Sequence, residues 1–278
     1  MVSSLKEKAY THIRQELAQG HWNDVPFLSK RKIAQRVGMS YTPVREALIQ
    51  LESEGLIETV NNQGVRLKML TREELREKFE LRIVLETGAA KLAAEKITDK
   101  ELASLRQNLD EHRRSLRSYR SSLTDNQTPE AGALLGESIR QAFQLNILFH
   151  LGVIRASRNR QMAKLVSDLH LVTQVLQTRA ILPGQNHLRQ IARDCLFHHR
   201  ILRALEHHDP EEAARWIQKH TTDAMKHHLS VYDLLQQLRQ PSASSLYRVP
   251  EVWLEPGQKV EQSISSDSCH SADGLPRK

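Results

Sequence analysis

Helical periodicity over residues 71–240 constrains the fold of this chain most strongly. Apolar side chains recur there every three or four residues, in segments of about 20 residues. With only 11 glycines and 9 prolines among 278 residues, the chain has few residues that interrupt helices. The predicted helices span roughly residues 72–95, 99–122, 137–156, 159–180, 187–207 and 210–238. The pattern therefore predicts an all-α antiparallel helical bundle, with a loop at residues 124–136.

Sequence signals mark the starts of several of these helices. Thr71 with Glu74, and Thr98 with Glu101, have the spacing of a capping box, in which each residue bonds to the backbone of the other. Asp209 is a good N-cap and is followed by proline, which fits the first helical position. The helices before and after Asp209 are therefore expected to run antiparallel.

The first seventy residues follow a different pattern. Three short helices are predicted: one over Ser3–Leu17, one after the N-cap Ser29, and one after the N-cap Thr42. Two β-prone runs, LIETV and VRLKM, flank the turn NNQG and predict a hairpin. Three helices followed by a hairpin are the order of a winged helix-turn-helix domain, predicted at residues 1–70. Some protein-interaction modules have the same order.

Positive charge concentrates at residues 30–45, which contain five basic residues and no acidic one. The first turn of a recognition helix reaches base edges in the major groove, where Arg45 can form two hydrogen bonds with guanine. Arg31 can bind phosphate. Behind the hairpin tip, which can lie along the minor groove, Arg66 and Lys68 are candidates for backbone contacts. The candidate DNA-binding residues are Arg31, Tyr41, Thr42, Arg45, Gln63 and Gly64.

The segment SKRKIAQRVGMSYTPVREALIQLESEGLIETVNNQGV resembles the N-terminal domain of the GntR family of bacterial transcriptional regulators. The resemblance covers about residues 5–70 and implies binding to double-stranded DNA. It implies DNA contacts from Arg31, Thr42, Arg45 and the wing tip at Gly64. Family members commonly have arginine where this chain has Tyr41. A tyrosine can donate to phosphate or pack on a thymine methyl group, but it lacks the guanidinium fork.

Twelve of the 14 histidines follow residue 100, and three of them are predicted to meet. Asn146 and His150 lie four residues apart, on one face of a helix. His198 and His220 each lie eleven residues from Asp209, which puts them at one level of the antiparallel pair. Three histidines and one oxygen ligand suit a divalent transition metal such as zinc. The alternative is that these histidines are hydrogen-bonded residues of an ordinary core.

Residues 72–235 resemble the FCD ligand-binding domain, the all-α effector domain of the largest (FadR-like) GntR subfamily. The segments FELRIVLETGAAKLAAEKIT, NILFHLGVIRASRN and FHHRILRALEHHDPEEAARWIQKH carry the resemblance. It implies a metal site of one carboxylate and three histidines, which map to Asn146, His150, His198 and His220. Asparagine stands in the carboxylate position, and the spacing favours His198 over His199. Arg82 is expected either to bind a carboxylate effector or to pair with Glu86 at i+4.

These features together predict a DNA-binding transcriptional regulator, not an enzyme. We expect a homodimer on a palindromic operator, acting as a repressor. A small carboxylate effector in the metal-containing pocket would act on the winged domain through the linker Met69–Thr71. The alternatives are a metal-dependent hydrolase with Asp168 or Asp194 as general base, a metal sensor, and an architectural DNA-binding protein without ligand.

Composition narrows the class of protein further. No apolar run reaches the roughly 20 residues of a membrane span, and we expect no secretory signal. The two cysteines, Cys195 and Cys269, argue against a disulfide framework and a cysteine-based zinc module. A net charge of +7 favours polyanionic partners. We expect a bacterial cytoplasmic, nucleoid-associated protein, with a disordered Ser/Pro-rich tail at residues 241–278.

Overall fold

The structure, a computed structural model, describes residues 4–18, 21–22, 27–61, 63–124, 129–179 and 187–238. Its first part contains the helices α1 (Leu5–Ala18), α2 (Lys30–Arg36) and α3 (Tyr41–Ser53), then the strands β1 (Ile57–Val60) and β2 (Gly64–Leu67). The strands pair antiparallel, with Ile57 opposite Leu67. The prediction of three helices followed by a hairpin is confirmed.

The start of α3 differs from the prediction. Ser40 is the N-cap, in an extended backbone conformation, and Tyr41 is the first helical residue. The assignment of Thr42 as the N-cap is therefore wrong. Pro43 is accommodated inside the first turn because the first N–H groups of a helix have no intrahelical acceptor. This start buries Val44 and leaves Thr42 exposed.

The hairpin is tied to the segment that precedes α2. Leu28 and Val65 exchange two backbone hydrogen bonds of 2.9 Å. Gly64 has a φ of +118°, and a Cβ atom there would lie 2.6 Å from the carbonyl oxygen of Leu28. This close approach of two backbones requires glycine at position 64.

Six longer helices follow. They are α4 (Arg72–Lys96), α5 (Asp99–Thr124), α6 (Pro129–Ala156), α7 (Arg160–Arg179), α8 (Leu188–Glu206) and α9 (Pro210–Leu238). Helix α4 packs against α6, α7 and α9, while α5 packs against α6 and α8. No helix within the described ranges has the length and apolarity needed to cross a membrane. The predicted fold class, mainly α with a winged helix-turn-helix before an all-α bundle, is confirmed.

Both predicted capping boxes form. The Thr71 hydroxyl accepts from the backbone N–H of Glu74, whose carboxylate accepts from the N–H of Thr71. Thr98 and Glu101 make the same reciprocal pair of bonds. These bonds satisfy N–H groups that the first turn of a helix leaves without an acceptor.

The predicted loop at residues 124–136 is wrong over its second half. Helix α6 begins at Pro129, because proline fits the first helical position and the glutamate, alanines and leucines that follow are strong helix formers. Residues 125–128 lie outside the described residues, as does the predicted tail at residues 241–278.

Helix α7 contacts the N-terminal helices through a charged side chain. Arg14 of α1 donates to Asp168 of α7 at 2.6 Å, and it also donates to the hydroxyl of Tyr10. That hydroxyl donates to Glu54, which directly follows α3, at 2.7 Å. A half-buried network thus joins α7 to the end of α3.

Candidate functional site

Four of the six candidate DNA-binding residues line one cleft of the N-terminal part. Arg31, Thr42 and Arg45 are exposed. An open cleft runs between the starts of α2 and α3 and the hairpin. Its lining includes Arg31, Tyr41, Gln63 and Gly64. Thr42 and Arg45 are not among the lining residues. Over the described part of the chain, neither Arg31 nor Arg45 has an ion-pair partner, so both guanidinium groups are available to an external anion.

Two further basic residues behind the hairpin tip are already paired. Arg66 donates to Glu58 across the hairpin at 2.6 Å. Lys68 donates to Glu74 of the capping box at 3.1 Å. Each would have to leave a carboxylate before it could bind DNA, so they are weaker candidates than the sequence suggests.

The three predicted histidines meet in the centre of the bundle. His150, His198 and His220 are fully buried, and one potential ligand atom of each lies within 4.8 Å of the other two. Asn146 Oδ1 lies 3.0 Å from His198 Nε2 and 3.4 Å from His220 Nε2. The neighbouring His199 is exposed. The structure therefore brings together all four residues of the predicted metal site.

Burial favours the neutral form of the His198 and His220 imidazoles. Desolvation, reinforced by the neighbouring histidines, lowers the pKa of His198 and His220 well below the usual value. Neutral imidazole is the form that binds a metal ion. The Nδ1 atoms of His198 and His220 have no hydrogen-bond partner among the described residues. Three imidazoles and an amide oxygen fit a zinc-like ion, although the set carries no negative charge.

Arg82 lies beside this cluster and forms the predicted ion pair. Its Nε donates to Glu86 Oε1 at 2.8 Å, and its terminal nitrogens lie 3.3 Å from the Thr173 hydroxyl and 3.2 Å from His170 Nε2. Burial acts to raise the pKa of Glu86, but Arg82, followed by His150 and His170, holds this pKa well below the usual value. The ion-pair alternative for Arg82 is thus realised.

A small cavity lies between these groups. Its lining includes Arg82, Asn146, His150, His170 and His220. The space open to a water-sized sphere is about 10 Å³, which is the size of a single water molecule or ion. Arg82 therefore pairs with Glu86 and also faces the cavity. A metabolite of several atoms does not fit this cavity unless the helices move.

Sequence reasoning missed two other polar residues of the cluster. His170 of α7 lies 3.1 Å from Glu86 Oε1. His112 of α5 is buried, with its ring centroid 5.3 Å from that of His198. Neither of its nitrogens has a hydrogen-bond partner among the described residues, and burial lowers its pKa to about 4. His170 lies between Leu169 and Leu171, an apolar setting that could have identified it, whereas His112 lies between Glu111 and Arg113 and gives no such signal.

The two aspartates considered as general bases occupy different positions. Asp168 is engaged by Arg14, at the junction with α1. Asp194 is buried near the histidine cluster, with Oδ1 3.9 Å from His220 Nδ1, and burial raises its pKa to about 7. Only Asp194 is close to the histidines.

Comparison with protein families matches both parts of the chain. Residues 5–67 match the gntR family of bacterial regulatory proteins, and residues 77–223 match the FCD domain. The FCD match covers more than half of the chain, and the two matches occur in the order that the fold shows.

Similar proteins are transcriptional regulators. The chain is 30% identical over 149 residues to the Nta operon transcriptional regulator of Aminobacter aminovorans. The matched region covers 54% of this chain and 62% of that protein. It is 28% identical over 221 residues to the "Probable D-xylose utilization operon transcriptional repressor" of Paenarthrobacter nicotinovorans, covering 79% of this chain and 83% of that protein.

A solved structure of Escherichia coli McbR/YncC has the same fold, with a TM-score of 0.68 and 21% identity, covering 83% of this chain and all of that one. A regulator from Rhodococcus sp. RHA1 gives a TM-score of 0.60 at 19% identity, covering 82% and 99%. The family and these relatives are regulators of transcription and not enzymes, so the hydrolase alternative is set aside. The chain belongs to the gntR family of bacterial regulatory proteins, in the group that carries an FCD domain, and is a transcriptional regulator of that type.

Proposed function

We propose that the protein is a sequence-specific repressor that binds a palindromic operator as a homodimer, on the nucleoid in the bacterial cytoplasm. In this proposal residues 1–70 read the DNA, residues 71–240 bind the effector and form the dimer, and residues 241–278 are dispensable for operator binding. Two exposed arginines without ion-pair partners among the described residues carry the proposal: Arg31, which lines the cleft at the wing, and Arg45, which lies on α3.

Within this surface, Arg45 reads a base and Arg31 positions the phosphate backbone, with the remaining contacts from Tyr41, Thr42, Gln63 and Gly64. A bidentate arginine–guanine contact contributes about 1–3 kcal/mol of discrimination, or roughly 5- to 150-fold in affinity. Arg45→Ala should therefore lose that factor on the operator and much less on unrelated duplexes. Fluorescence anisotropy at fixed salt measures both affinities.

Arg140→Ala is the matched control, because it removes the same charge from an exposed position on α6, where Arg140 pairs with Glu137. Its operator affinity should equal that of the unsubstituted protein. Equal losses on operator and random DNA in Arg45→Ala would remove this residue from base reading and leave it as a phosphate contact.

In the second half, Asn146, His150, His198 and His220 would hold a divalent transition metal such as zinc. Bound there, such an ion would act as a Lewis acid that attracts the carboxylate of an effector.

Two adjacent histidines provide a matched test of this metal site. His198→Gln changes a buried residue of the cluster, whereas His199→Gln changes an exposed neighbour. Mass spectrometry of metals in protein purified without an affinity tag should show the ion lost only in His198→Gln. Equal metal content in the two variants would contradict the assignment.

We assign the effector as a small carboxylate that contacts Arg82. The guanidinium faces the cavity, and among the described residues its terminal nitrogens bond only to Thr173 at 3.3 Å and His170 at 3.2 Å. Because the cavity has room for a single water or ion, a carboxylate can enter only if the helices separate. Binding would then select an opened arrangement, and a ligand shifts such an equilibrium only by its difference in affinity for the two states.

Helix α7 is suited to carry this change to the DNA-binding part. His170 and Thr173 contact the pocket side chains Glu86 and Arg82, while Asp168, on the same helix, contacts Arg14 of α1. The linker Met69–Thr71 gives a second connection, since the capping box starts α4 directly after it. Movement of α7 would therefore alter the separation of the two winged domains in the dimer.

The effector proposal is tested by operator affinity in the presence of acetate, lactate and succinate, with zinc supplied. We expect at least one of them to weaken operator binding by tenfold or more in the unsubstituted protein and not in His198→Gln.

A metal sensor is the second candidate, favoured by a cavity that fits an ion alone. In that case zinc by itself would change operator affinity, and the carboxylates would add nothing.

The homodimer is proposed to form on α4. Leu81 and Val84 lie three residues apart on its outer face and are 47% and 69% exposed. Val84→Glu should yield monomers in size-exclusion chromatography with light scattering. Leu196→Glu is the matched control on α8, since Leu196 is 67% exposed, and it should remain dimeric. A dimeric Val84→Glu variant would move the interface elsewhere.

A further inference from the structure

Glu86 connects two groups of buried polar side chains with its two carboxylate oxygens. Oε2 lies 2.6 Å from His150 Nδ1, and Oε1 lies 2.8 Å from Arg82 Nε and 3.1 Å from His170 Nε2. The side chains of Glu86, His150 and His170 are almost inaccessible to solvent. This carboxylate is therefore held between one member of the histidine cluster and a guanidinium group.

The contact with Glu86 fixes which nitrogen of His150 carries a proton. The carboxylate of Glu86 is paired with the Arg82 guanidinium and accepts hydrogen bonds. His150 therefore donates to it through Nδ1, and Nε2 is left as the nitrogen that can act as a ligand. The potential ligand atom of His150 also converges with those of His198 and His220. The carboxylate thus holds this imidazole in the tautomer that makes Nε2 the ligand atom.

Glu86, His150 and His170 are themselves close enough to surround a cation. Arg82 already fills that role, because its guanidinium bonds to Glu86 Oε1 and lies 3.2 Å from His170 Nε2. A divalent ion beside this guanidinium would meet strong repulsion. The geometry leaves the cluster of His150, His198 and His220 as the place for a metal, with Glu86 behind it.

We propose that Glu86 is a positioning residue of this metal centre: it accepts the Nδ1–H of His150, presents Nε2 to the ion, and is anchored from the other side by Arg82. Glu86 also places a negative charge behind a ligand set of three imidazoles and one amide, which has no negative charge of its own. Carboxylates behind metal-bound histidines fix the ring orientation and raise the basicity of the ligand. The proposal rests on the metal centre proposed above, and its test separates the two.

The test compares three variants. Glu86→Gln removes the charge but keeps an oxygen that can accept from His150, and it leaves Arg82 buried without its carboxylate. The double variant Arg82→Met/Glu86→Leu removes both charges with similar volumes, a change that buried ion pairs often tolerate. Thr173→Val is the control, because it removes the hydroxyl bonded to Arg82 and leaves the contact between Glu86 and His150 intact. Circular dichroism establishes that each variant is folded.

The first measurement needs no metal. In ¹⁵N-histidine spectra of the metal-free protein, with the signal of His150 identified by its loss in His150→Gln, we expect the Nδ1–H tautomer in the unsubstituted protein and in Thr173→Val. In the double variant the ring should change toward the Nε2–H tautomer. An Nε2–H tautomer in the unsubstituted protein would overturn the proposal.

The second measurement is the affinity for Zn²⁺ and Co²⁺, with the visible absorption of Co²⁺ as a report on ligand geometry. The double variant should bind about 10- to 100-fold more weakly with an altered Co²⁺ spectrum, Glu86→Gln should lose less, and Thr173→Val should match the unsubstituted protein. Unchanged affinity and spectrum in the double variant would overturn the role of Glu86 alone. Absence of binding by the unsubstituted protein would overturn the metal centre, and this proposal with it.

Discussion

Replacing Gly64 by alanine should damage the wing far more than the same change at Gly55. Both residues have positive φ, +118° and +72°, and an L-residue in such a conformation costs about 1–2 kcal/mol. At Gly55 a Cβ atom meets nothing within 4 Å, whereas at Gly64 it would lie 2.6 Å from the carbonyl oxygen of Leu28. The backbones must then separate, which endangers the two hydrogen bonds between Leu28 and Val65. At about 0.5–1.5 kcal/mol for each bond, the total for Gly64→Ala is about 2–5 kcal/mol.

Hydrogen exchange and urea unfolding measure this difference. The Leu28 and Val65 amides should exchange faster in Gly64→Ala but not in Gly55→Ala. Unfolding monitored through Trp22, which is buried in the N-terminal core, should show the larger loss of stability for Gly64→Ala. Operator affinity should fall in parallel, because the wing leaves its place beside the cleft. Equal losses of stability in the two variants, with unchanged exchange at Leu28 and Val65, would refute the argument from close approach.

Three further changes test other parts of the structure. Asp168→Asn should cost about 1 kcal/mol or less in stability, since the half-buried ion pair of Asp168 with Arg14 is screened by solvent. The same change should reduce the effect of the carboxylate effector on operator affinity. An unchanged effect in anisotropy assays would exclude this ion pair from the coupling between the effector pocket and the DNA-binding part. Thr71→Ala should lower stability in urea by about 0.5–2 kcal/mol through loss of the N-cap bond, and no change would show that the capping box contributes nothing. The pKa of Glu101 is lowered to about 2 by Arg158 and by the N–H and hydroxyl of Thr98, which together outweigh the opposing effect of burial. Because this pKa lies below its usual value of 4.5, the stabilisation is present above pH 4.5 and is lost as the pH falls to about 2. Glu101→Gln should therefore lose less stability than the unsubstituted protein over that range, and identical acid profiles would contradict this.

Local signals predicted most of the fold. The capping pairs at Thr71 and Thr98, the turn at Asp209 and the period of apolar residues each act over a few positions, so they can be identified from the sequence. The errors arise where two local signals compete: Ser40 and Thr42 are both good N-caps, and Pro129 suits a loop as well as a first helical turn. Competition of this kind is decided by packing, which the sequence does not display.

The candidate site was predictable where helix geometry relates residues of one helix, or of two antiparallel helices joined by a short turn. Asn146 and His150 share a face, and His198 and His220 are level across the turn at Asp209. His170, by contrast, reaches the pocket from another helix, and its contact with Glu86 depends on how α4 and α7 cross. The sequence offered two roles for Arg82, and three-dimensional structure was needed to find its guanidinium bonded to Glu86 while facing the cavity.

In vitro selection from a random pool of DNA duplexes tests most directly the claim that this chain reads sequence through α3. At moderate salt, the unsubstituted protein should enrich a palindromic motif whose half-sites contain a guanine, and Arg45→Ala should lose enrichment at that guanine while keeping the spacing of the half-sites. If the unsubstituted protein enriches no motif under these conditions, the account of a sequence-specific regulator is wrong, whatever metal or carboxylate its helical bundle binds.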